Sequence, residues 1–406
     1  MEFFNLKNKM KNKIKFCTKC VMPSSSAIPV EFDENGVCSG CNTANQKDDI
    51  DWGRRKKQFH SLLDQYKNQD HSNYDCIIPV SGGKDSYFQV HMVKNVFNMN
   101  PLLVTYNANN WTKTGYENLH NMREAFGCDH VFFTPSIDLL KRMNRIGFQV
   151  MGDMNWHGHS GIFTYPFIVA AEKKIPLVIY GEHGFMDIGG MHSYNDYVEF
   201  TQRYRLEHCL RGYDWNDFLG HHDRDKIKEN ELLGFKFPSD EDIKNIGIRG
   251  VFIANYIKWS GNNNANIAKQ YGFKENIEEF DRTYRKISNL DDMHENGIHD
   301  YMKFVKFGYG RATDHVCKDI RDGVMSRDEG VKIIRNMDHV KPNDLERWLT
   351  YVGMSEQGFD EIADSFRDNR VWYIKDGLWW KDNIWGESKL YGKPCLSSQQ
   401  QKKYKG

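Results

Sequence analysis

The fold class of this chain is indicated by one segment, Asp75-Cys76-Ile77-Ile78-Pro79-Val80-Ser81-Gly82-Gly83-Lys84-Asp85-Ser86. Its first half is the short apolar run of a buried strand, and its second half is a glycine-rich loop. Helical spacing of apolar residues follows over residues 87–97. Further apolar runs at 102–106, 130–133 and 176–180 are joined by segments with helical spacing. Strands joined by helices predict parallel β-α-β units and therefore a doubly wound parallel α/β sheet.

The loop carries the groups that phosphate binding needs. Gly82 and Gly83 let the backbone approach phosphate oxygens, and the amide groups at the start of a helix point at an anion. The two loop serines add hydroxyl donors, Lys84 adds a cation, and Asp85 is placed to cap the helix or to help hold Mg²⁺. The simpler alternative is a glycine-serine turn that only starts a helix. Because strand, loop and helix follow in the required order, we interpret residues 81–86 as a phosphate-binding loop.

The loop differs from the two best-known nucleotide-binding motifs. The spacing Gly-x4-Gly-Lys-Ser/Thr of the Walker A loop is absent there, and so is the Gly-x-Gly-x-x-Gly fingerprint of dinucleotide-binding proteins. Ser-Gly-Gly-Lys-Asp-Ser instead resembles the PP-loop of ATP pyrophosphatases, which have a HUP-like sheet. That resemblance implies that the chain binds ATP and Mg²⁺, and that it cleaves ATP between the α and β phosphates with Lys84 and Asp85 as catalytic residues.

Four cysteines are paired in a way that predicts a metal site. Cys17-x2-Cys20 and Cys38-x2-Cys41 are separated by seventeen residues. This spacing is typical of a structural zinc site, in which four thiolates surround Zn²⁺ at about 2.3 Å and leave no open position for a catalytic water. Two disulfides and an iron-sulfur cluster are the alternatives. A reducing compartment argues against the first, and spacing alone leaves the second open.

The composition limits the class of protein. The chain has 406 residues, of which 39% are hydrophobic, and 55 basic residues balance 55 acidic ones. With zero net charge there is no overall field to attract nucleic acid, so we do not expect a nucleic-acid partner. No stretch reaches the roughly 20 apolar residues that span a bilayer, and the basic N-terminus lacks the apolar segment of a signal peptide. We therefore expect a cytoplasmic protein without a membrane partner.

The strand patterns fade after about residue 200. Helical spacing is found instead in five later segments, at 217–233, 249–259, 264–271, 276–290 and 328–335, and an aromatic hairpin is predicted at 371–380. We predict three units: an N-terminal arm and zinc ribbon at 1–50, the ATP-binding α/β domain at 51–200, and a mainly helical substrate and partner domain at 201–406. The helical domain is expected to pack against the C-terminal edge of the sheet.

Further motifs resemble those of the N-acetyl sugar amidotransferases. The similarity extends from about Phe16 to the helix near Trp348 and includes the cysteine segment, the loop, Lys306-Phe307-Gly308-Tyr309-Gly310-Arg311-Ala312-Thr313, Asp319-Ile320-Arg321-Asp322-Gly323 and Ser326-Arg327-Asp328-Glu329-Gly330. This family serves bacterial surface-polysaccharide pathways such as lipopolysaccharide biosynthesis, and nonulosonic-acid pathways including the pseudaminic-acid branch. One motif departs from the family: Gly181-Glu182-His183-Gly184 stands where the family usually has Gly-Glu-Asn-Pro.

The resemblance implies a specific reaction. The acetamido oxygen of an N-acetyl sugar, with or without an attached nucleotide, is adenylated by ATP, and ammonia then displaces AMP to leave an acetamidino group. The chain has no Gly-x-Cys-x-Gly nucleophile elbow and no cysteine after its N-terminal methionine. Ammonia must then come from solution or from a separate glutaminase, and the resemblance favours a partner related to the histidine-pathway glutaminase.

Three further residues are candidates for the site. Glu182 follows a strand at the edge where open α/β sheets bind ligands, and it is placed to hold Mg²⁺ or to accept a proton; the alternative is a carboxylate that stabilises a helix N-terminus. Lys306 and Arg311 flank a glycine-rich turn and are predicted to bind phosphate or a sugar carboxylate; the alternative is surface charge. His157 and His159 lack a third metal ligand, so we interpret them as part of a loop packed by Trp156.

Two other functions stay open from the sequence. A tRNA-modifying PP-loop enzyme of the thiolase type also carries N-terminal zinc knuckles in some cases, but the neutral charge and the lack of a sulfur-carrying cysteine disfavour it. A nucleotide sensor would use the loop without turnover, and the intact Lys84 and Asp85 argue against that class.

Overall fold

The computed structural model of the chain describes residues 14–287, 294–388 and 391–404. The predicted N-terminal arm lies almost wholly outside these ranges, at residues 1–13.

A five-stranded parallel sheet forms the centre of the molecule. Its strands are β1 (Cys76–Pro79), β2 (Pro101–Tyr106), β3 (His130–Phe133), β4 (Leu177–Tyr180) and β5 (Arg249–Phe252), in the order β3-β2-β1-β4-β5. The chain runs outward from β1 through β2 to β3 and then returns to the other side of β1 with β4. The C-terminal ends of β1 and β4 therefore border the switch point of a doubly wound sheet, as the sequence predicts.

Helices cover the sheet and make up most of the rest of the described chain. Before residue 200 they are α1 (Ser39–Asp49), α2 (Trp52–Asp64), α3 (Lys84–Val90), α4 (Lys113–Phe126), α5 (Ile137–Met151), α6 (Trp156–Lys173) and α7 (Gly184–Gly189). After it they are α8 (Gln202–Tyr204), α9 (Asp240–Ile246), α10 (Gly261–Gln270), α11 (Asn296–Phe307), α12 (Arg311–Arg321), α13 (Arg327–Met337), α14 (Leu345–Val352), α15 (Glu356–Ser365) and α16 (Ser398–Gln401). A π-helical turn, His91–Val96, continues α3.

Local signals explain where the helices begin and end. The Thr112 side chain accepts a hydrogen bond at the start of α4, and Gly127 ends that helix in the left-handed region (φ 57°). Ser136 caps α5 in the same way, and Gly152 ends it. The predicted loop at His157 and His159 is wrong, because α6 already begins at Trp156.

Three of the helices predicted after residue 200 are wrong. Residues 249–252 form β5, an edge strand with Gly250, Val251 and Phe252 buried, and a short 3-10 helix follows it (Ile253–Asn255). A four-residue apolar run of this kind looks the same in a helix and in a buried strand. The segment 217–233 consists of 3-10 turns (Trp215–Phe218, Asp223–Asp225 and Glu229–Phe235). Because β5 follows residue 200, one strand of the sheet belongs to the segment that was predicted to be a helical domain. The division into domains stays a prediction.

The third wrong helix is 276–290, of which residues 288–290 lie outside the described ranges. Residues 276–287 form no helix, because their side chains are held by the neighbouring helices. Arg282 donates to the backbone oxygen of Asp338 (2.8 Å), and Thr283 is hydrogen-bonded to His315. These tertiary contacts override the local helical spacing. The helices predicted at 264–271 and 328–335 are confirmed as α10 and α13.

The predicted aromatic hairpin is confirmed as β6 (Trp372–Lys375) and β7 (Leu378–Asn383), and a third antiparallel strand, β8 (Gly386–Ser388), follows it. Asp376 (φ 53°) and Gly377 (φ 73°) form the two-residue turn. Trp372 and Trp379 bury their rings against α11 and α15 and so hold the C-terminal helices together. Within the described ranges, no helix has the length and apolar character to cross a membrane.

Candidate active site

The loop predicted to bind phosphate lies at the C-terminal end of β1, where the backbone conformation depends on one glycine. Gly82 has φ +84°, and a Cβ atom there would lie 2.8 Å from the backbone of Leu119 on α4. Only glycine fits both constraints. The Ser81 amide donates to the Ser86 hydroxyl (3.0 Å), and the Gly83 amide donates to the Ser81 hydroxyl (3.3 Å). These bonds fix the loop at the start of α3.

Lys84 and Asp85 form an ion pair directly after the loop. Lys84 Nζ lies 2.6 Å from Asp85 Oδ2, and the Asn264 side chain on α10 donates to Asp85 Oδ1 (2.8 Å). Burial opposes ionisation of Asp85, but Lys84 and Asn264 outweigh it and lower the pKa of that carboxyl. The N-cap of α3 is Gly83 without a side-chain bond, so Asp85 does not cap the helix. A carboxylate held in this way is available to a cation.

The sequence analysis did not identify Asn264 as a residue of the site. Its signal is the run Ser260-Gly261-Asn262-Asn263-Asn264, in which Ser260 caps α10, but the sequence alone does not show that α10 packs on α3.

Glu182 follows β4 and faces the loop across the switch point. Lys318 Nζ on α12 lies 3.3 Å from Glu182 and 2.6 Å from Asp187 on α7. Burial alone would raise the pKa of Asp187, but Lys318 and Lys47 lower it overall. His183, the residue that departs from the family motif, caps α7 by accepting from the Met186 amide (3.3 Å), so Glu182 does not serve as the cap. Two carboxylates therefore share one lysine beside the loop.

One cavity of about 220 Å³, here called the loop cavity, brings these groups together. Its charged and polar lining comprises Lys47, Ser81, Lys84, Asp85, Glu182, Asp187, Arg285, Arg311, Asp314, His315, Lys318, Arg321 and Asp322. The residues from Arg311 to Asp322 in this list lie on α12 or at its C-terminal end. They are spaced three or four residues apart, so the helix places their side chains on one face. The charged periodicity of 311–322 is the sequence signal that could have identified this wall.

Arg311 and Lys306 behave differently. Arg311 lines the loop cavity and is held by Asp300 on α11, with Nη2 2.9 Å from Oδ1. Lys306 does not line the loop cavity; its ammonium group donates to the Met151 backbone oxygen (3.4 Å) and faces a neighbouring cavity. The structure thus brings Arg311, but not Lys306, next to the phosphate loop.

Two further cavities adjoin this one. The strand-end cavity (about 340 Å³) lies above β1, β2 and β4 and is lined mostly by apolar side chains, with Ser81, Glu182, His159, His299 and Arg311 among its polar groups. The basic cavity (about 410 Å³) is lined by several cations, namely Arg211, Lys303, Lys306 and Arg311, and by His159, His208 and His299. Arg311 lines all three cavities. His157, in contrast, is buried and hydrogen-bonded to Tyr106 and Asn144.

The four paired cysteines are buried and come together at the predicted metal site. Their Sγ atoms all lie within 4.8 Å of one another, with 3.9 Å between Cys17 and Cys41 and 3.6 Å between Cys20 and Cys38. Thiolates at about 2.3 Å from one tetrahedral ion would lie about 3.8 Å apart, so the set fits a single zinc ion. A disulfide needs about 2.05 Å between sulfurs, which excludes the two disulfides in this structure.

The cysteine site is directly connected to the loop cavity. Arg321 lines that cavity, and its Nη2 lies 3.5 Å from Cys38 Sγ while its Nη1 donates to the backbone oxygens of Asp187 and Ile188. Arg327 on α13 donates to the backbone oxygens of Cys17 and Cys20. The N-terminal unit therefore supports the helix that forms the far wall of the cavity.

The region that supplies this wall matches a known family. Residues 269–384 match the sequence model described as the LPS biosynthesis protein WbpG-like, C-terminal domain. This region of the chain is WbpG-like. It contains the motifs at 306–313, 319–323 and 326–330, so the resemblance drawn from those motifs is confirmed at this level.

Two other comparisons cover parts of the chain. It is 28% identical over 113 residues to the uncharacterized protein MJ1599 of Methanocaldococcus jannaschii, which corresponds to 28% of this chain and 40% of that protein. The chain thus spans less than half the length of that relative. A structural search finds the NH3-dependent NAD synthetase of Campylobacter jejuni, solved with a nitrate ion, at 14% identity and a TM-score of 0.28, over 36% of this chain and 62% of that one. A TM-score of this size supports no conclusion about this chain.

Proposed function

We propose that the chain is an ATP-dependent amidotransferase, which adenylates the acetamido oxygen of an N-acetyl sugar and lets ammonia displace AMP to form an acetamidino sugar. We place this reaction in bacterial surface-glycan biosynthesis. One observation carries the proposal: the WbpG-like region supplies the α12 wall of the same cavity that the phosphate loop forms from the other side.

The loop cavity supports ATP binding in the proposed reaction. Backbone amides of the loop and the cations Lys84, Arg285 and Lys318 are arranged to hold the phosphates. Asp85, Glu182 and Asp187 offer oxygen ligands for Mg²⁺, which would neutralise charge on the phosphates. The lowered pKa values of Asp85 and Asp187 keep both carboxylates ionised at neutral pH.

The strand-end cavity supports binding of the acetamido group. It shares Ser81, Glu182 and Arg311 with the loop cavity, and its other walls are largely apolar. An acetamide resists ammonia because resonance gives its C–N bond double-bond character. Attack of the carbonyl oxygen on the α-phosphorus, with loss of pyrophosphate, converts that oxygen into a good leaving group. The protein has to align the two atoms and exclude water, and needs no covalent nucleophile of its own.

We propose a separate glutaminase subunit as the nitrogen source. The reaction needs neutral ammonia, and the chain carries no glutaminase nucleophile motif. Cys209, which lines the basic cavity, does not supply one, because burial raises the pKa of its thiol and keeps it protonated. The same raised pKa disfavours the thiolase alternative, which needs a reactive cysteine near the site.

Product analysis with labelled ATP tests the proposal against its alternatives. The purified chain is incubated with ammonium and either acetamido sugars or tRNA. AMP and pyrophosphate that form only with an acetamido sugar support the amidotransferase. Formation only with tRNA would indicate the thiolase type, and no turnover under any condition would indicate a nucleotide sensor.

A further inference from the structure

A buried carboxylate and two histidines lie between the two cavities that adjoin the loop cavity. His159 on α6 and His299 on α11 line both the strand-end and the basic cavity, and their rings are 5.1 Å apart. Asp153, in the connection between α5 and α6, is buried beneath them. ATP binding and adenylation, as proposed, assign no role to Asp153, His159 or His299.

Asp153 holds His299 in one orientation. Asp153 Oδ1 lies 3.0 Å from His299 Nδ1, and the Asn155 backbone amide also donates to that oxygen (3.1 Å). Burial opposes ionisation of Asp153, but His299 and the Arg211 cation lower the pKa of the carboxyl well below its usual range. An ionised partner at Nδ1 keeps the ring proton there and leaves a lone pair on Nε2. No hydrogen bond within the described chain occupies Nε2, and that atom is not enclosed.

The neighbouring groups are less suited to accept a proton. His159 Nδ1 is 3.9 Å from Asp153, too far for a hydrogen bond, and burial lowers the pKa of His159 to about 3. Burial lowers the pKa of Lys306 to about 8, but Lys306 lines the basic cavity only. Glu182 forms an ion pair with Lys318 and is already assigned to Mg²⁺ in the proposed ATP site. His299 is the imidazole that combines a fixed tautomer with access to both cavities.

We propose that His299 is the general base of the amination step and that Asp153 is its positioning residue. The inference rests on the proposed function. Ammonia forms a bond to the adenylated acetamido carbon, which gives a tetrahedral centre bearing an ammonium group. His299 Nε2 takes one proton from that nitrogen. The C–O bond then breaks, AMP leaves with the electron pair and the former acetamide oxygen, and the amidinium product remains. One proton is released for each amide, ammonia and ATP consumed.

The test separates the two half-reactions. Sugar-dependent exchange of labelled pyrophosphate into ATP reports adenylation, and acetamidino product reports amination. In H299A we expect exchange within about threefold of wild type, while product formation falls by about 10²–10⁴-fold, the usual contribution of a general base. Added imidazole should restore part of the product formation, because it can occupy the space left by the ring. H60Q, which changes an exposed histidine of α2, serves as the control.

The role of Asp153 is tested by a double-mutant cycle with His299. D153N should reduce product formation, spare the exchange, and have little further effect in the H299A background, since it acts through His299. Three results would overturn the proposal: product formation by H299A within threefold of wild type, equal loss of exchange and product, or a loss that imidazole does not restore. If the wild-type protein itself shows no sugar-dependent exchange, the proposed function fails and this inference with it.

Discussion

Lys84 is the residue on which we expect the proposed phosphate binding at the loop to depend most strongly. Its ammonium group lies beside Asp85 and lines the loop cavity with the carboxylates that face it. We expect the fold to persist without it, because Gly82 and the serine hydrogen bonds hold the start of α3.

We therefore expect K84A to lower sugar-dependent AMP formation by about 10²–10³-fold, which corresponds to about 2.7–4 kcal/mol of transition-state stabilisation. Far-UV circular dichroism should show an unchanged fold. K244A, which removes an exposed lysine of α9, is the matched control. Activity of K84A within a few-fold of wild type would remove the loop from the mechanism.

Glu295 gives a prediction about stability. Its side chain is buried, accepts a hydrogen bond from Asn110 (3.0 Å), and burial raises its pKa from 4.5 to about 7. The folded protein keeps this proton at a pH where the unfolded chain has lost it. The contribution of protonated Glu295 to the free energy of unfolding is thus fully present below about pH 4.5. It is lost as the pH rises through about 7, which lowers the free energy of unfolding by up to about 3 kcal/mol.

E295Q should remove that dependence, because glutamine stays neutral and its amide oxygen still accepts from Asn110. Urea unfolding at pH 5 and pH 8 measures it. We expect the drop in the free energy of unfolding between these values to be smaller in E295Q than in wild type. Identical drops would mean that Glu295 is ionised in the folded protein.

The residues of the site differ in how far the sequence predicts them. The loop and the four cysteines are local patterns, and the structure places them as expected. Asn264, Asp187 and Lys318 join the site through contacts between distant helices, which no local pattern specifies. Lys306 shows the converse: it lies in the WbpG-like region beside Arg311, but its position on α11 places its side chain at the basic cavity.

Among the elements, α12 joins the two halves of the site. Its inner face lines the loop cavity, and its last residue, Arg321, reaches the cysteine sulfurs. A metal ion in the cysteine site would therefore act on the cavity through α12, although the four thiolates leave no position for a catalytic water.

We expect one zinc ion per chain and expect C17S to lose it. Loss of the metal should lower Tm by about 10 °C or more, since such sites contribute directly to folding. It should also weaken ATP binding, because Arg321 loses its thiolate partners. Elemental analysis, thermal unfolding and ATP titration check the three effects, with C395S, at an exposed cysteine, as control. Iron in the purified protein, or no metal, would contradict the zinc assignment.

Element type was predictable where the periodic pattern was long. The helices α4, α5 and α13 carry capping residues and clear apolar spacing. The conformation of segment 276–287 was not predictable, because it depends on side-chain contacts with α12 and α13. Strand β5 was not predictable either, because it forms by pairing with β4 at the edge of the sheet.

At the scale of the whole molecule, the doubly wound order of the sheet could be predicted, since alternating strands and helices leave few topologies. The way the WbpG-like region closes over the switch point could not, because it depends on α12 packing against the N-terminal cysteine unit and α7. The three cavities around Arg311 exist only in that assembly.

The proposed glutaminase partner gives a prediction about the nitrogen source. The isolated chain should use high ammonium but not glutamine, and its rate should rise with pH because neutral ammonia is the nucleophile. Addition of the cognate glutaminase should give glutamine-dependent turnover at a much lower nitrogen concentration and with a weaker pH dependence. Hydrolysis of glutamine by the isolated chain would contradict the proposed partner.

The proposed function requires ATP to activate the acetamido oxygen. The fate of that oxygen can be followed with an acetamido sugar labelled with ¹⁸O in its carbonyl group, incubated with ATP, Mg²⁺ and ammonium. We expect AMP that carries one ¹⁸O atom and an acetamidino product without it. Label that stays in the sugar, or products that are ADP and phosphate instead of AMP and pyrophosphate, would contradict the proposed function.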